Sequence, residues 1–275
     1  MNISEVLRAG AARLACVSDT PRLDAELLMA HALGVERESM LLHHGADPPS
    51  AEFDALIARR LAHEPVAYII GRRGFWKIEL EVGPGVLIPR PDSETLIEAA
   101  VDRFGEAGPS RVLDLGTGPG TLLLAALAHW PRATGLGVDA SEAALRYARR
   151  NAARLGLGRR SQFRLGDWAD GLAARFDLIL CNPPYVEAGA TLAPDVARWE
   201  PAEALYAGAD GLEAIRHLAP QLPPLLAPGG VACVEIGAGQ SPAAVAIFAA
   251  EGFISSLRED LNKVPRCLIL RLDRG

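Results

Sequence analysis

The sequence predicts a two-part protein whose larger part is a doubly wound α/β domain built on a mostly parallel sheet. Three observations support this prediction. From residue 111 onward, short apolar runs alternate with helical stretches, which is the pattern of a parallel sheet flanked by helices. The last two apolar runs, "FISSLRED" and "PRCLILRL", are joined too closely for a helical crossover, so we expect them to pair antiparallel. The first 70 residues carry helical patterns instead.

The N-terminal part is predicted to be a small bundle of helices. Thr20 and Pro21 form a favourable N-cap and first-turn pair for "TPRLDAELLMAHALG". We expect this helix to end at Gly34, because glycine commonly terminates helices. Ser50 is the expected cap of a second helix, "SAEFDALIARRLAHEP".

A β-hairpin is predicted to connect the two parts. The stretch "GFWKIELEVGPGVLI" alternates apolar and polar residues around a Gly-Pro-Gly turn. We therefore expect a helical domain over residues 1–70, a hairpin linker over 71–90 and the α/β domain over 91–275.

Each element of the larger domain follows from its own pattern. The strands are predicted at "RVLDL", "TGLGVD", "SQFRL", "DLILC" and "GGVACVEIG". The helices are predicted at "GTLLLAALAHW", "SEAALRYARRNAARLG", "GLEAIRHLAPQL" and "SPAAVAIFAAEG". In such a sheet the ligand lies at the carboxyl ends of the strands.

Composition narrows the class of protein. The formal charge is −6 and the pI about 5.6, so binding to nucleic acid through phosphate contacts is disfavoured. The four cysteines are scattered, with neither a paired spacing nor a histidine cluster, so we expect reduced thiols and no metal site. We see neither a signal peptide nor an apolar run of membrane-spanning length. A cytoplasmic protein without a membrane partner is expected.

A glycine-rich turn follows the first strand of the α/β domain. Gly116, Gly118 and Gly120 separate "VLDL" from the next helix, and glycines there let a ligand approach the backbone. One strand later, Asp139 is placed to accept hydrogen bonds from the two hydroxyls of a ribose. The alternative is that Asp139 only helps to cap the helix from Ser141. Together the turn and the carboxylate fit either an NAD site or an S-adenosylmethionine site.

The next two strands distinguish these cofactors. The third leads to "LGDWAD", where Asp167 and Trp168 could hydrogen-bond and cover an adenine ring. The fourth leads to "NPPY", and the chemistry of a nicotinamide enzyme gives no reason for this element. This succession resembles the seven-stranded S-adenosylmethionine-dependent methyltransferases that act on a planar amino nitrogen, in which such a loop holds the methyl acceptor.

The chemistry explains these residue types. The lone pair of an amide or exocyclic amine is delocalised, so the nitrogen is a poor nucleophile toward a sulfonium methyl group. The side-chain carbonyl of Asn182 and the backbone carbonyl of Pro183 can each accept one N–H, which orients the nitrogen and favours its developing charge. Two prolines stiffen the loop, and Tyr185 can pack on the planar group. The alternative is an ordinary strand-ending turn.

The resemblance to one family covers nearly the whole chain. "EPVAYIIGRRGFWKIELEVGPGVLIPRPDSETLIE" is similar to the linker of the release-factor glutamine N5-methyltransferases, the PrmC/HemK family. The helical N-terminal segment, "EPAEALYAGADGLEAIRHL" and "EIGAGQ" also resemble this family. Two departures are small: Pro119 stands where members often have a small polar or other short side chain, and Ala207 replaces a usual glycine. Pro119 removes one possible amide donor from the turn.

The resemblance implies a fold, an activity and a set of site residues. It implies a seven-stranded methyltransferase sheet with antiparallel C-terminal strands, and transfer of a methyl group to the glutamine amide of the Gly-Gly-Gln motif in peptide chain release factors. The expected catalytic residues are Asn182, Pro183 and Tyr185. The expected S-adenosylmethionine contacts are Gly116, Thr117, Gly118, Pro119, Gly120, Asp139, Asp167, Trp168 and Asn182. The expected substrate contacts are Asn182, Pro183, Pro184, Tyr185 and Arg90.

Other interpretations stay open at this point. Arg90, Asp92 and Glu94 in "IPRPDSETL" either line the mouth of the site or only start a helix, with Asp92 or Ser93 as its N-cap. An adenine-N6 methyltransferase acting on DNA or RNA would use "NPPY" equally well, but the acidic balance disfavours it. A non-catalytic cofactor-binding scaffold would not need Asn182.

Overall fold

A computed structural model describes residues 2–44 and 48–273. The chain forms two compact units. The first comprises residues up to Arg72 together with Leu192–Glu200, and the second comprises Arg73–Thr191 and the chain from Pro201 onward. The continuous range 91–275 expected for the α/β domain is thus interrupted by Leu192–Glu200 in this division.

The secondary structure is mixed. The α-helices are α1 Ile3–Leu14, α2 Pro21–Leu33, α3 Arg37–His43, α4 Phe53–Leu61, α5 Val66–Ile70, α6 Glu94–Phe104, α7 Thr121–His129, α8 Glu142–Arg154, α9 Pro194–Trp199, α10 Glu213–Leu218 and α11 Ser241–Ala250. The strands are β1 Arg72–Phe75, β2 Ile78–Glu81, β3 Arg111–Leu115, β4 Thr134–Asp139, β5 Ser161–Leu165, β6 Phe176–Cys181, β7 Leu226–Glu235, β8 Phe253–Glu259 and β9 Pro265–Leu272. Short 3-10 turns occur at Pro91–Ser93, Ala202–Ala204, Ala219–Gln221 and Pro223–Leu225.

The first unit is a helical bundle with its own apolar core. Leu7, Leu28, Met29 and Ile57 are fully or almost fully buried at its centre. The predicted end of α2 is confirmed: Gly34 has a φ of 68° and its N–H donates to carbonyls of the last turn.

Thr20 is the N-cap residue of α2, as predicted, although its side chain makes no capping hydrogen bond, whereas the predicted cap Ser50 is wrong because Glu52 precedes α4. The Thr20 hydroxyl donates to the Asp24 side chain, at 3.3 Å from Oδ1. Ser50 Oγ accepts from the backbone N–H of Glu52 at 3.2 Å, which makes a turn before α4 begins at Phe53. Both residues favour a local bond, as Ser and Thr do outside helices.

The hairpin is present, but its predicted turn is wrong. β1 and β2 form a two-stranded sheet and are joined by Trp76 and Lys77. Trp76 has a φ of 54°, and its N–H donates to Glu94 Oε1 at 2.7 Å, which helps to hold the strained residue. The Gly-Pro-Gly segment, residues 83–85, follows β2 instead. A Cβ at Gly83 would collide with the Tyr147 hydroxyl, so this glycine permits close packing.

The second unit contains the predicted seven-stranded sheet. The strand order is β5-β4-β3-β6-β7-β9-β8. The pairs from β5 to β7 are parallel, and β9 pairs antiparallel with both β7 and β8, as the sequence predicts. In register, Leu115 lies opposite both Val138 and Cys181, and Cys181 lies opposite Val234. The carboxyl ends of these central strands therefore meet at one edge of the sheet.

None of the helices in residues 2–44 and 48–273 is both long and apolar enough to span a membrane.

Candidate functional site

A cavity lies at the carboxyl edge of the parallel strands, in the second unit. It opens to solvent and contains about 380 Å³ of empty space, part of which is open solvent. Its lining consists of Leu87, Pro89, Arg90, Ser93, Asp114, Gly116, Thr117, Gly118, Pro119, Thr121, Leu122 and Asn182. Six of the residues predicted from the sequence are therefore brought to one cavity.

The glycine turn between β3 and α7 forms one wall of this cavity. The backbone N–H groups of Gly116 and Thr117 both donate to the Val138 carbonyl, at 2.9 and 3.0 Å. Gly118 has a φ of 56°, and a Cβ there would point into open space. Glycine is needed at this position for its backbone conformation, and it leaves room for a ligand. Gly120 also has a positive φ, but a Cβ there would collide with Leu124 instead of pointing into open space.

Asp139 fixes the shape of this turn. Its carboxylate accepts from the Gly118 N–H and the Ser141 N–H, both at 2.8 Å. Burial raises the pKa of Asp139, and the two backbone hydrogen bonds oppose that rise. Ser141 caps α8 through the N–H of Ala144, as predicted. Asp139 thus supports the helix start and the turn together, and the remaining lone pairs of its half-buried carboxylate can accept ribose hydroxyls.

Asp114 is a site residue that sequence reasoning missed. It is 1% exposed and lines the cavity. Its Oδ2 accepts from Thr117 Oγ1 at 2.6 Å and from the Leu123 N–H at 3.0 Å, while its Oδ1 is buried without a hydrogen-bond partner among the described residues. Burial raises the pKa of Asp114 to about 7, and nearby Asp139 adds to the rise. The sequence did contain a sign of this role, because an acidic residue inside the apolar run "VLDL" is costly to bury and therefore indicates a function.

Asp167 and Trp168 lie outside the lining of the cavity. Asp167 is exposed, and its carboxylate is 3.8 Å from His217 Nε2. Trp168 has a φ of 46° and packs on the core of the sheet. Its Cζ3 atom would be 3.8 Å from a Cβ placed on Gly116. The structure therefore brings the indole ring, but not the Asp167 carboxylate, against the glycine turn.

The predicted acceptor loop begins where β6 ends. Asn182 Nδ2 donates to Ser93 Oγ at 3.0 Å, which leaves its Oδ1 as the acceptor not used in this bond. Pro183 is buried and Pro184 half-buried. Burial raises the pKa of the half-buried Tyr185 to about 12, so its hydroxyl remains a proton donor.

Gln240, in "EIGAGQ", holds this loop from the other side. Its Nε2 donates to the carbonyl oxygens of Tyr185 and Gly211, at 3.0 and 3.2 Å, and its Oε1 accepts from the Gly237 N–H at 2.8 Å. A Cβ on Gly211 would collide with the Tyr185 carbonyl. The glycines and the amide of this segment therefore position the acceptor loop, a role that only the tertiary structure reveals.

The segment containing Arg90 lines the cavity, and Ser93 is also the N-cap residue of α6, although its side chain makes no capping hydrogen bond. Asp92 forms an ion pair with Arg266 at 3.1 Å. Ser93 accepts from Asn182 and Glu94 from Trp76, so all three side chains have partners outside the first turn of α6. These partners lie on distant parts of the sequence, and therefore sequence reasoning could not weigh them.

Glu235 is a second residue that sequence reasoning missed. It is the last residue of β7 and is 0% exposed. Burial raises the pKa of Glu235 to about 7. The hydroxyls of Ser93 and Tyr185 face its carboxyl group and oppose this rise. Glu235 thus lies next to Tyr185 of the predicted acceptor loop and next to Ser93.

The arrangement suits a cofactor with a cationic amino acid part and a ribose. An unpaired carboxylate oxygen in the cavity wall can accept from an ammonium group, and a second carboxylate lies at the end of β4. Among the described residues there is no group of three or more His, Cys, Asp or Glu side chains that could hold a metal ion.

Comparisons with known proteins agree with this architecture. Residues 5–71 match the PrmC N-terminal domain and residues 108–268 a methyltransferase domain. The chain is 46% identical to a release factor glutamine methyltransferase of Rhodospirillum rubrum, over 98% of this chain and 85% of the relative. It is 42% identical to one of Cereibacter sphaeroides, over 99% of both chains.

A 16S rRNA methyltransferase of Thermus thermophilus, solved with AdoMet and guanosine, shares the fold: the TM-score is 0.51 at 24% identity, over 74% of this chain and 50% of that one. Since the identity to the two bacterial relatives extends along almost the entire chain, the chain belongs to the release factor glutamine methyltransferase family.

Proposed function

We propose that the protein transfers a methyl group from S-adenosylmethionine to the side-chain amide nitrogen, N5, of the glutamine in the Gly-Gly-Gln motif of peptide chain release factors. Membership of the family supports the reaction and its substrate. The observation that carries the proposal is the orientation of Asn182, whose Nδ2 is bound by Ser93. Its Oδ1 is thereby left to accept an N–H from a planar amide.

The cofactor would be held by the glycine turn and by two carboxylates. Gly116, Thr117, Gly118 and Pro119 line the cavity, and the open space beside Gly118 admits a ligand close to the backbone. Asp114 Oδ1 would accept from the ammonium group, and Asp139 from the ribose hydroxyls. The Trp168 ring would cover the adenine, with Asp167 at its edge. When bound, the cofactor supplies a methyl group on a positively charged sulfur.

The acceptor loop orients the glutamine nitrogen. The two N–H groups of the primary amide would donate to Asn182 Oδ1 and to the backbone carbonyl of Pro183, which directs the nitrogen toward the methyl group. With the cofactor bound, the nitrogen would form its bond to the methyl carbon as the sulfur–carbon bond breaks, and it would then lose one proton to water. The two carbonyl oxygens stabilise the positive charge that the nitrogen gains. Tyr185 and Pro184 would pack against the planar group, with Arg90 at the mouth of the cavity.

The first unit is proposed to dock the rest of the release factor. It matches the PrmC N-terminal domain and is separate from the unit that contains the cavity. We further propose that the protein acts in the cytoplasm, where release factors work. The formal charge of −6 gives no support to a nucleic-acid substrate.

Methyl transfer to paired substrates tests the proposed function. The protein is incubated with labelled S-adenosylmethionine and either an intact release factor or one whose Gly-Gly-Gln glutamine is changed to glutamate. Label should enter only the intact factor, and mass spectrometry should locate it on that glutamine. Equal labelling of both factors would refute the assigned site, and labelling of adenine-containing DNA instead would favour an adenine-N6 methyltransferase.

A further inference from the structure

We propose that Glu235 is a positioning residue that acts through Ser93 to fix which end of the Asn182 amide faces the methyl acceptor. The inference rests on the proposed function, in which Asn182 holds the glutamine amide. β6 and β7 are neighbouring parallel strands in which Cys181 lies opposite Val234. Asn182 directly follows Cys181, and Glu235 directly follows Val234. The acceptor loop and the Glu235 residue therefore lie next to each other at the carboxyl ends of β6 and β7.

The hydrogen bond between Asn182 and Ser93 gives the first step. Ser93 Oγ accepts from Asn182 Nδ2 at 3.0 Å. A serine hydroxyl has only one proton, so Ser93 can direct that proton to another acceptor. The Ser93 hydroxyl faces the carboxyl group of Glu235, which only accepts when it is ionised. An ionised Glu235 therefore draws the Ser93 proton and leaves a serine lone pair for Asn182 Nδ2.

The geometry of Glu235 suits this role. Its side chain is completely buried, and within the described part of the chain neither carboxyl oxygen completes a hydrogen bond of standard geometry. Both oxygens are thus available to the hydroxyls of Ser93 and Tyr185 that face them. Hydrogen bonds in active sites are often long without substrate and shorten in the complex.

Protonation of Glu235 would disable the site. An asparagine amide has nearly the same shape after its oxygen and nitrogen exchange places, so the hydrogen-bond network decides its orientation. A protonated Glu235 can donate to Ser93, and Ser93 can then donate to Asn182 Oδ1. That bond would occupy the carbonyl oxygen needed by the substrate and turn the NH₂ group toward it. The ionised form of Glu235 is therefore the active form.

The surroundings of Glu235 make its ionisation sensitive to pH near neutrality. Glu235 interacts electrostatically with five titratable or charged side chains: Asp92, Cys181, Tyr185, Arg266 and Cys267. Arg266 lowers the pKa of Glu235 and Asp92 raises it, but burial is the largest cause, and the pKa is about 7. Burial also raises the pKa of the Cys181 and Cys267 thiols, which keeps both neutral. Activity should therefore rise as the pH passes through about 7.

The first test compares the wild type with Glu235→Gln, using full-length protein, a purified release factor and saturating S-adenosylmethionine. The variant keeps the side-chain shape but cannot ionise. We expect a roughly 10- to 100-fold loss of kcat/KM at high pH, as for a misplaced reacting group, and the disappearance of the rise near pH 7. Cofactor affinity should stay unchanged, which a general structural defect would not allow. Glu98→Gln is the matched control, because the Glu98 carboxylate pairs with Arg258 instead.

The second test is a double-mutant cycle with Ser93→Ala. If Glu235 acts through Ser93, either change alone should cause most of the loss, and the double variant should be little worse than each single variant. Should Glu235→Gln fail to fold, Ser93→Ala alone decides, because it should also abolish the rise near pH 7. Losses that multiply in the double variant, or a Glu235→Gln enzyme with the wild-type pH profile, would overturn the inference. A wild-type protein that leaves the release factor unlabelled would overturn the proposed function and this inference together.

Discussion

Replacing Asp114 by asparagine should stabilise the protein at high pH and weaken its binding of S-adenosylmethionine. Asp114 is almost completely buried, and its pKa is raised from 3.8 to about 7, mainly by burial. At about 1.4 kcal/mol per pH unit, ionising this group in the folded protein costs up to about 4 kcal/mol. Asparagine could accept the same two hydrogen bonds without this cost, and we therefore expect the negative charge of Asp114 to serve cofactor binding.

The direction of the pH effect follows from the raised pKa. Between about pH 4 and pH 7 the folded protein keeps a proton on Asp114 that the unfolded chain has lost, so stability falls as the pH rises through this window. Above about pH 7 both states are ionised and the penalty is constant. Asparagine can still accept from Thr117 and Leu123 but carries no charge. We therefore expect little difference in stability near pH 4 and a gain of up to about 4 kcal/mol near pH 8.

Two measurements check this prediction. Urea unfolding at several pH values gives the stability difference, and calorimetric titration gives the cofactor affinity. Loss of a charged hydrogen bond to the ammonium group should cost about 1.5–3 kcal/mol of binding. Asp273→Asn serves as the control, since Asp273 is exposed. Parallel stability–pH curves for wild type and variant, or a variant that binds the cofactor as tightly as the wild type, would contradict this prediction.

Three further substitutions test how the site is held together. Asn151→Ala removes a fully buried amide that bonds the backbone of Glu81 and the Pro119 carbonyl, so urea unfolding should show a loss of about 2–4 kcal/mol; an unchanged midpoint would contradict this. Asp139→Ala should weaken cofactor binding by about 1.5–3 kcal/mol in calorimetry, and unaltered affinity in a folded variant would remove Asp139 from the site. Gln240→Ala should lower kcat/KM for the release factor roughly tenfold without changing cofactor affinity, whereas wild-type kinetics would exclude its positioning role.

The order of strands and helices could be predicted because each element of the α/β domain carries its own periodic pattern. The short connection between the last two strands was enough to predict that β8 and β9 pair antiparallel. Helix caps and turns were less predictable, because they depend on competing partners. Thr20 bonds Asp24 instead of the helix backbone, and the hairpin turns at Trp76 with support from the distant Glu94.

The cavity was predictable where its residues lie in a local motif. The glycine turn and Asn182 are recognisable by their place after a strand, and both line the same cavity. Asn151 and Glu235 were missed because each acts on partners that are far away in the sequence, whereas Asp114 was missed although it bonds Thr117 and Leu123 nearby. An acid within or at the end of an apolar strand is nevertheless a usable signal, since burying it without a function would be costly.

Turnover of an Asn182→Ala variant tests the central claim most directly, which is that the Asn182 carbonyl orients the glutamine amide for methyl transfer. The measurement is single-turnover methylation of an intact release factor at saturating S-adenosylmethionine, with cofactor affinity determined in parallel. Asn262→Ala, at an exposed position in the β8–β9 connection, is the matched control. We predict a loss of roughly 10²–10³-fold in the rate, as for one preorganised transition-state partner, with most of the cofactor affinity retained. An Asn182→Ala enzyme that methylates at nearly the wild-type rate would contradict the account.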